Sequence, residues 1–204
     1  MVTIIDFGGG NLRSVQKSIE HVGFQAEITN DAEIVRRATH LVCPGNGAFG
    51  DCMAGLRKYD LVSAIDEFIQ KGNPFLGICI GMQSLFNKSY EFGIHEGLSY
   101  IDGVVQKFPD DIKKNNLKIP HTGWNSVHFK ENHPLFKDIK QDDYFYFVHS
   151  YYCQCNNENN ILGVTDYGIE FTSAVTYENI TGVQFHPEKS QYSGLKLLEN
   201  FCNL

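Results

Sequence analysis

This sequence predicts an α/β fold: a mostly parallel central sheet flanked by helices, with an antiparallel extension in the C-terminal half. Three observations predict it. From Val2 to Ile78, short apolar runs alternate with segments of helical spacing, the pattern of βα repeats. Past Gly97 the helical spacing stops and short alternating segments follow one another. No linker, internal repeat or shift of composition divides the 204 residues, so one domain over 1–204 is expected.

The elements follow in order. Val2–Ile5 is an apolar strand, and Leu12, Val15, Ile19 and Val22 then recur at helical spacing until Gly23 stops them. Phe24–Ile28 gives a second strand. Asn30-Asp31 caps a short helix running to Ala38. His40–Cys43 is the third strand and Pro44-Gly45-Asn46-Gly47-Ala48-Phe49 a turn. Asp60 is the expected cap of a helix bearing Leu61, Ile65, Phe68 and Ile69, which Gly72-Asn73-Pro74 ends. Phe75–Ile78 is the fourth strand, and a helix through Met82-Gln83-Ser84-Leu85-Phe86 is expected after it. The antiparallel segments are Val104–Phe108, Asn125–Phe129, Tyr144–Val148, Tyr151–Cys155, Ile161–Thr165 and Ser173–Thr176. Polar loops are expected at 110–116 and 156–160, and a closing helix around Leu195–Phe201.

Composition excludes several classes. A formal net charge of −7 argues against a nucleic-acid surface. The chain opens on a strand and not on a basic-then-apolar leader, and no apolar run approaches the ~20 residues that span a bilayer. A cytoplasmic protein with no membrane partner is the expectation. The six cysteines make no Cys-x-x-Cys pair, and Cys153-x-Cys155 is too closely spaced for a zinc knuckle. No metal is expected, and a reduced compartment suits free thiols.

The chemistry concentrates in two motifs. Gly77-Ile78-Cys79-Ile80-Gly81 follows a strand directly, as in a nucleophile elbow with cysteine as the nucleophile. The glycines let backbone pass close on both sides, and a following helix N-terminus would favour thiolate. Read alone, Cys79 has a weaker alternative reading, a buried thiol packing as a small hydrophobe. Near the C-terminus, Gln184-Phe185-His186-Pro187-Glu188 places a histidine and a glutamate two apart, on one face of an extended backbone held by Pro187. There Glu188 can orient His186, and His186 can take the thiol proton as general base. Acyl transfer through a thioester then needs donors for an oxyanion. The N–H of Ile80 and the Gly45–Asn46–Gly47 loop are the candidates. Gly8-Gly9-Gly10 lacks the third glycine of a dinucleotide loop, since Arg13 stands there, and reads as a tight turn.

Gly-Ile-Cys-Ile-Gly-Met-Gln together with His-Pro-Glu resembles the class I, or triad-type, glutamine amidotransferases. Further segments run over nearly the whole chain: 6–15, 120–125, 144–152 and 182–190. Gly-Asn-Leu-Arg-Ser and Gly-Trp-Asn point within the family to the glutaminase subunits of imidazole glycerol phosphate synthases. Asn46 stands where valine is usual, Ile80 replaces leucine and Thr122 a methionine. The resemblance implies L-glutamine as substrate and a triad of Cys79, His186 and Glu188. It implies contacts to glutamine from Gly47, Gln83, Glu91 and the His149-Ser150-Tyr151 backbone, and no cofactor. It also implies ammonia delivery to a (β/α)8-barrel cyclase subunit in a heterodimer, with Asn11, Trp124 and Tyr146 as candidate contacts. A paralogous subunit serving another acceptor such as a surface sugar, a partner-free cysteine hydrolase and a non-enzymatic binding module are the alternatives.

Overall fold

The computed structural model describes residues 1–130 and 132–204. Its strands are β1 (Val2–Ile5), β2 (Ala26–Thr29), β3 (His40–Cys43), β4 (Phe75–Ile78), β5 (Phe86–Ser89), β6 (His95–Glu96), β7 (Ile101–Lys107), β8 (His121–Ser126), β9 (His128–Phe129), β10 (Tyr144–His149), β11 (Tyr151–Cys155), β12 (Ile161–Asp166), β13 (Glu170–Tyr177) and β14 (Ile180–Val183). The helices are α1 (Leu12–His21), α2 (Ala32–Arg37), α3 (Phe49–Lys58), α4 (Leu61–Gln70), α5 (Ile80–Gln83) and α6 (Gln191–Cys202).

The large sheet runs β2-β1-β3-β4-β14-β13-β11-β7-β5-β6, with β12 and β9 attached beyond β13. From β2 to β14 every pairing is parallel. From β14 outward the pairings turn antiparallel, apart from β5 with β7. The mostly parallel sheet with an antiparallel extension is the architecture that the alternation of apolar runs predicts. β8 and β10 form a separate two-stranded antiparallel ribbon.

The parallel strands are buried on both faces, as crossover helices require. Val2 and Ile4 of β1 pack with Val15 and Ile19 of α1 and Leu197, Leu198 and Phe201 of α6. Ile5 belongs to the opposite cluster, with Met53 and Leu56 of α3 and Leu61, Ile65 and Phe68 of α4. Successive side chains of one strand thus feed two cores.

Three expectations need correction. Helix α3 was not foreseen, because Gly50 and Gly55 weaken helical propensity there. Gly55 is needed for contact: a Cβ on it would lie 2.0 Å from the Phe7 carbonyl oxygen. Asp60 makes no side-chain cap to α4. It has φ 55° and its N–H bonds the Arg57 carbonyl, so it closes the unforeseen α3, while its carboxylate meets Arg36 at 3.2 Å. The helix expected through Phe86 stops after one turn. Ser84 Oγ donates to the Gly81 carbonyl at 2.9 Å, and the chain then enters β5. Asp31 caps α2 as read, its carboxylate accepting the Glu33 N–H at 2.8 Å.

Candidate active site

β3, β4 and β14 lie side by side and parallel, and the two cysteine and histidine motifs leave their carboxyl ends. That is where ligands bind in open α/β sheets. The Cys79 N–H bonds the Val183 carbonyl at 2.8 Å, so β14 holds the turn that follows β4. Cys79 itself sits at φ 55°, ψ −108°, a conformation that costs a side-chain-bearing residue about 1–3 kcal/mol. The flanking glycines make this turn feasible. A Cβ on Gly77 would stand 2.6 Å from the Gly81 carbonyl oxygen, and one on Gly81 would stand 1.7 Å from that of Cys43. The Cys79 side chain is 6% exposed, recessed rather than raised into solvent. With α5 only one turn long, the helix dipole is a small influence on the sulfur.

His186 follows β14 in extended conformation and Pro187 opens a single 3-10 turn that carries Glu188. The two side chains therefore meet across a turn, not along one strand face as the spacing suggests. His186 Nδ1 lies 2.8 Å from Glu188 Oε1, with both side chains buried. Nδ1 must donate, because an ionised carboxylate only accepts. Burial opposes charge on this imidazole. The charge and hydrogen-bonding of Cys79, and then of Glu188, outweigh it and raise the His186 pKa to about 10. Nε2 has no aligned hydrogen-bond partner among the described residues, so it is the nitrogen left to exchange a proton with the sulfur it faces. A thiol, an imidazole poised against it and a carboxylate fixing the tautomer can form and resolve a thioester.

The Pro44–Gly47 loop packs against this turn. A Cβ on Gly45 would meet Ile80 Cγ2 and Phe7 Cζ, each at 2.5 Å, so the loop and the residue after Cys79 are in direct contact. Ile80 opens α5, and first-turn N–H groups have no intrahelical partner. Gly47 takes φ 114°, whereas exposed Asn46 keeps a negative φ. Gly8-Gly9-Gly10 lies beside the same loop: a Cβ on Gly10 would stand 2.9 Å from the Gly45 Cα.

Gln83 is buried next to Cys79, its amide donating to the Tyr151 carbonyl at 3.1 Å and to Gln184 Oε1 at 3.0 Å. Glu91 is half-buried. Its Oε2 accepts the Phe49 N–H at 2.6 Å, at the start of α3. Burial raises the Glu91 pKa, against the Phe49 N–H and the charge of His95, which pull it down. His149 ends β10, Ser150 gives its carbonyl to Phe108, and Tyr151 opens β11.

A family model described as "Glutamine amidotransferase class-I" matches residues 3–203. The chain belongs to the class-I glutamine amidotransferases. Curated relatives include the "Imidazole glycerol phosphate synthase subunit HisH" of Sulfurimonas denitrificans, 49% identical over 98% of this chain and 97% of its own. The subunit of that name from Aquifex aeolicus is 49% identical over 97% of this chain and 94% of its own. Among solved structures, one described as a glutamine amidotransferase superposes at a TM-score of 0.77, with 14% identity over 99% of this chain and 97% of that one. "Structure of PurLQS from Thermotoga maritima" matches at 0.73, with 15% identity over 99% and 97%. At such identities the likeness is one of fold.

The three residues expected to face a partner of this amidotransferase are at the surface or near it. Asn11 is exposed at the start of α1, and its side chain makes no cap bond. Trp124 is 46% exposed and stands edge-on to Tyr146 at 6.2 Å, so it is not a core residue. Tyr146 is half-buried, with Lys189 Nζ 5.7 Å from its ring. Among the described residues no group of three or more His, Cys, Asp or Glu is placed to share a metal ion. No helix among them is long and apolar enough to cross a membrane.

Gln184 was not singled out from the sequence. It is fully buried, and its Nε2 lies 3.6 Å from Cys79 Sγ. Its signal was available: a polar side chain inside the apolar run Gly182-Val183-Gln184-Phe185 must find a buried partner.

Proposed function

We propose that this chain is the glutaminase subunit of an imidazole glycerol phosphate synthase, serving histidine biosynthesis in the cytoplasm. Cys79 attacks the side-chain amide carbon of L-glutamine. The oxyanion is met by N–H groups of Ile80 and of the Gly45–Asn46 segment, with Gly47 bordering the substrate. His186 gives its Nε2 proton to the departing nitrogen as the C–N bond breaks, releasing ammonia and leaving a thioester on Cys79. Water, deprotonated by His186, cleaves that thioester to glutamate. Glu188 keeps Nδ1 protonated throughout. Glu91 serves the substrate α-ammonium, and the His149–Tyr151 backbone its carboxylate, beside Gln83.

The observation that carries the chemistry is the strained Cys79 turn facing a buried His186–Glu188 pair at 2.8 Å, at the carboxyl ends of adjacent parallel strands. The choice of acceptor rests on full-length relatives at 46–49% identity that carry the synthase-subunit name. Ammonia in water is mostly ammonium and no longer nucleophilic, so the product calls for a shielded path into a partner. We assign that partner as a (β/α)8-barrel cyclase in a heterodimer, reached by the Asn11, Trp124 and Tyr146 surface.

The experiment is glutamate release by the purified chain, alone and with the cyclase subunit encoded in the same genome plus its acceptor. Turnover should rise at least ~10-fold in the complex, a coupling of about 1.4 kcal/mol. A glutamine-like diazo-ketone should label Cys79. Equal turnover with and without the cyclase refutes the subunit assignment, and failure to label Cys79 refutes the nucleophile.

A further inference from the structure

Two buried histidines outside the triad form a chain whose direction is fixed at every link. His149 Nδ1 lies 2.8 Å from the Tyr151 carbonyl oxygen, and a carbonyl only accepts, so Nδ1 carries the proton. Burial, then the neighbouring His121, hold the His149 pKa down to about 3, and burial holds that of His121 to about 4, so both rings are neutral. The bare Nε2 of His149 must then accept from His121 Nδ1, 2.9 Å away. The bare Nε2 of His121 accepts in turn from Asn125 Nδ2 at 3.3 Å, and that amide also donates to the Asp166 carbonyl at 2.8 Å. His121 is clamped between the rings of Tyr167 and Phe147, at 3.9 and 4.8 Å, so it has little freedom to turn.

The inner end of the chain reaches the reacting centre. The Tyr151 carbonyl also accepts from Gln83, Gln83 donates to Gln184, and Gln184 Nε2 points at Cys79 Sγ. Both hydrogens of the Gln83 amide and both lone pairs of the Tyr151 carbonyl are thereby used. The outer end, Asn125, neighbours exposed Trp124 on β8.

We propose that His121 and His149 are positioning residues: a one-directional hydrogen-bond chain from Asn125 to the Tyr151 carbonyl that sets the Gln83 and Gln184 amides against the Cys79 sulfur. Removing the His121 donor leaves the buried Nε2 of His149 without a proton to accept. A buried acceptor left unpaired is costly, so the His149 ring turns to bring Nε2 toward water, which weakens its Nδ1–H bond to the Tyr151 carbonyl and frees Gln83.

The test uses His121→Phe, which keeps the ring stack and removes both nitrogens, and His121→Asn, whose amide can replace the Nδ1 donor. The kinetic arm rests on the glutaminase reading, so nitrogen NMR of the histidine rings at neutral pH is run beside it. In the wild type, both rings should show Nδ1 protonated and Nε2 bare. In His121→Phe, the His149 Nδ1–H signal should shift as its bond to the Tyr151 carbonyl weakens, and kcat should fall at least about 10-fold, with KM within about threefold. His121→Asn should restore the wild-type His149 signal and most of kcat. A wild-type His149 protonated on Nε2 overturns the proposal whatever the enzyme hydrolyses. So does a kcat that falls equally in the Phe and Asn variants, or in neither. A wild type inert toward glutamine but with both tautomers as stated sinks the glutaminase reading and leaves the chain standing.

Discussion

A Cβ on Gly81 would fall 1.7 Å from the carbonyl oxygen of Cys43, so the turn after the nucleophile and the end of β3 touch through bare backbone. No rotamer relieves such a clash, because both partners are main chain. Gly81→Ala should therefore cost more than about 3 kcal/mol, well beyond an ordinary core substitution. Chemical denaturation checks this, and a loss under 1 kcal/mol would mean that the turn has room to shift.

Cys79 stores strain that its function requires. Cys79→Ala keeps a Cβ at φ 55°, whereas Cys79→Gly removes it. Glycine should be the more stable of the two by about 1–2 kcal/mol, the reverse of the usual order. Both variants should lose glutamine hydrolysis by several orders of magnitude. Thermal unfolding of the pair reads the strain directly, and Ala matching or exceeding Gly would show that the turn is relaxed.

Glu188→Gln keeps the shape of the His186 partner and removes its charge. Cys79 and Glu188 raise the His186 pKa to about 10 against burial, so losing one of them lowers it. The alkaline fall of kcat/KM should then begin at lower pH, and turnover should drop about 100-fold or more as the tautomer loosens. An unchanged alkaline limb would assign that titration to another group.

The two neutral histidines make stability depend on pH. Their folded pKa values, about 4 and about 3, lie below the unfolded 6.5, so the unfolded chain binds more protons in acid. Stability is full above pH 6.5 and is lost as pH falls toward 4, by at most about 1.4 kcal/mol per pH unit per ring. Urea midpoints at pH 7, 5.5 and 4.5 check it. His121→Phe should show a shallower slope than the wild type, which subtracts the carboxylates common to both.

In the loop beside the nucleophile, Gly47 carries the positive φ and Asn46 does not. Asparagine's tolerance of left-handed backbone is therefore not called on. Asn46→Val should leave basal hydrolysis within about threefold, while Gly47→Ala, forced to φ 114°, should lower it about 10-fold or more. Assays of the isolated chain decide, and a large loss in Asn46→Val would show that the Asn46 side chain itself acts at the site.

The frame was legible in the sequence where one period dominated. β1, β3, β4 and β11 have the boundaries that their residues suggest, because each is a short apolar or alternating run between clear stops. α3 was hidden by Gly50 and Gly55, which look like loop residues until Phe7 is seen against Gly55. The strand Phe86–Ser89 was hidden because Met82-Gln83-Ser84-Leu85-Phe86 reads as the start of a helix and Asn87-Lys88-Ser89 carries no apolar alternation to mark a strand. Cys79, His186 and Glu188 could be picked out as motifs of adjacent residues. The His121–His149–Asn125 chain could not, since its members come together only through the β8–β10 pairing.

That pairing has one more consequence. Among the described residues β8 and β10 share a strand ladder only with each other, yet His121 and Trp124 sit on the same short strand. The ribbon is tied to the catalytic frame at named points: the Tyr146 carbonyl accepts the His186 N–H at 2.9 Å, and Asn125 donates to the Asp166 carbonyl at 2.8 Å. A change at exposed Trp124, outside those ties, alters the outer face of the ribbon while the strands that lead to Cys79 and His186 keep their packing.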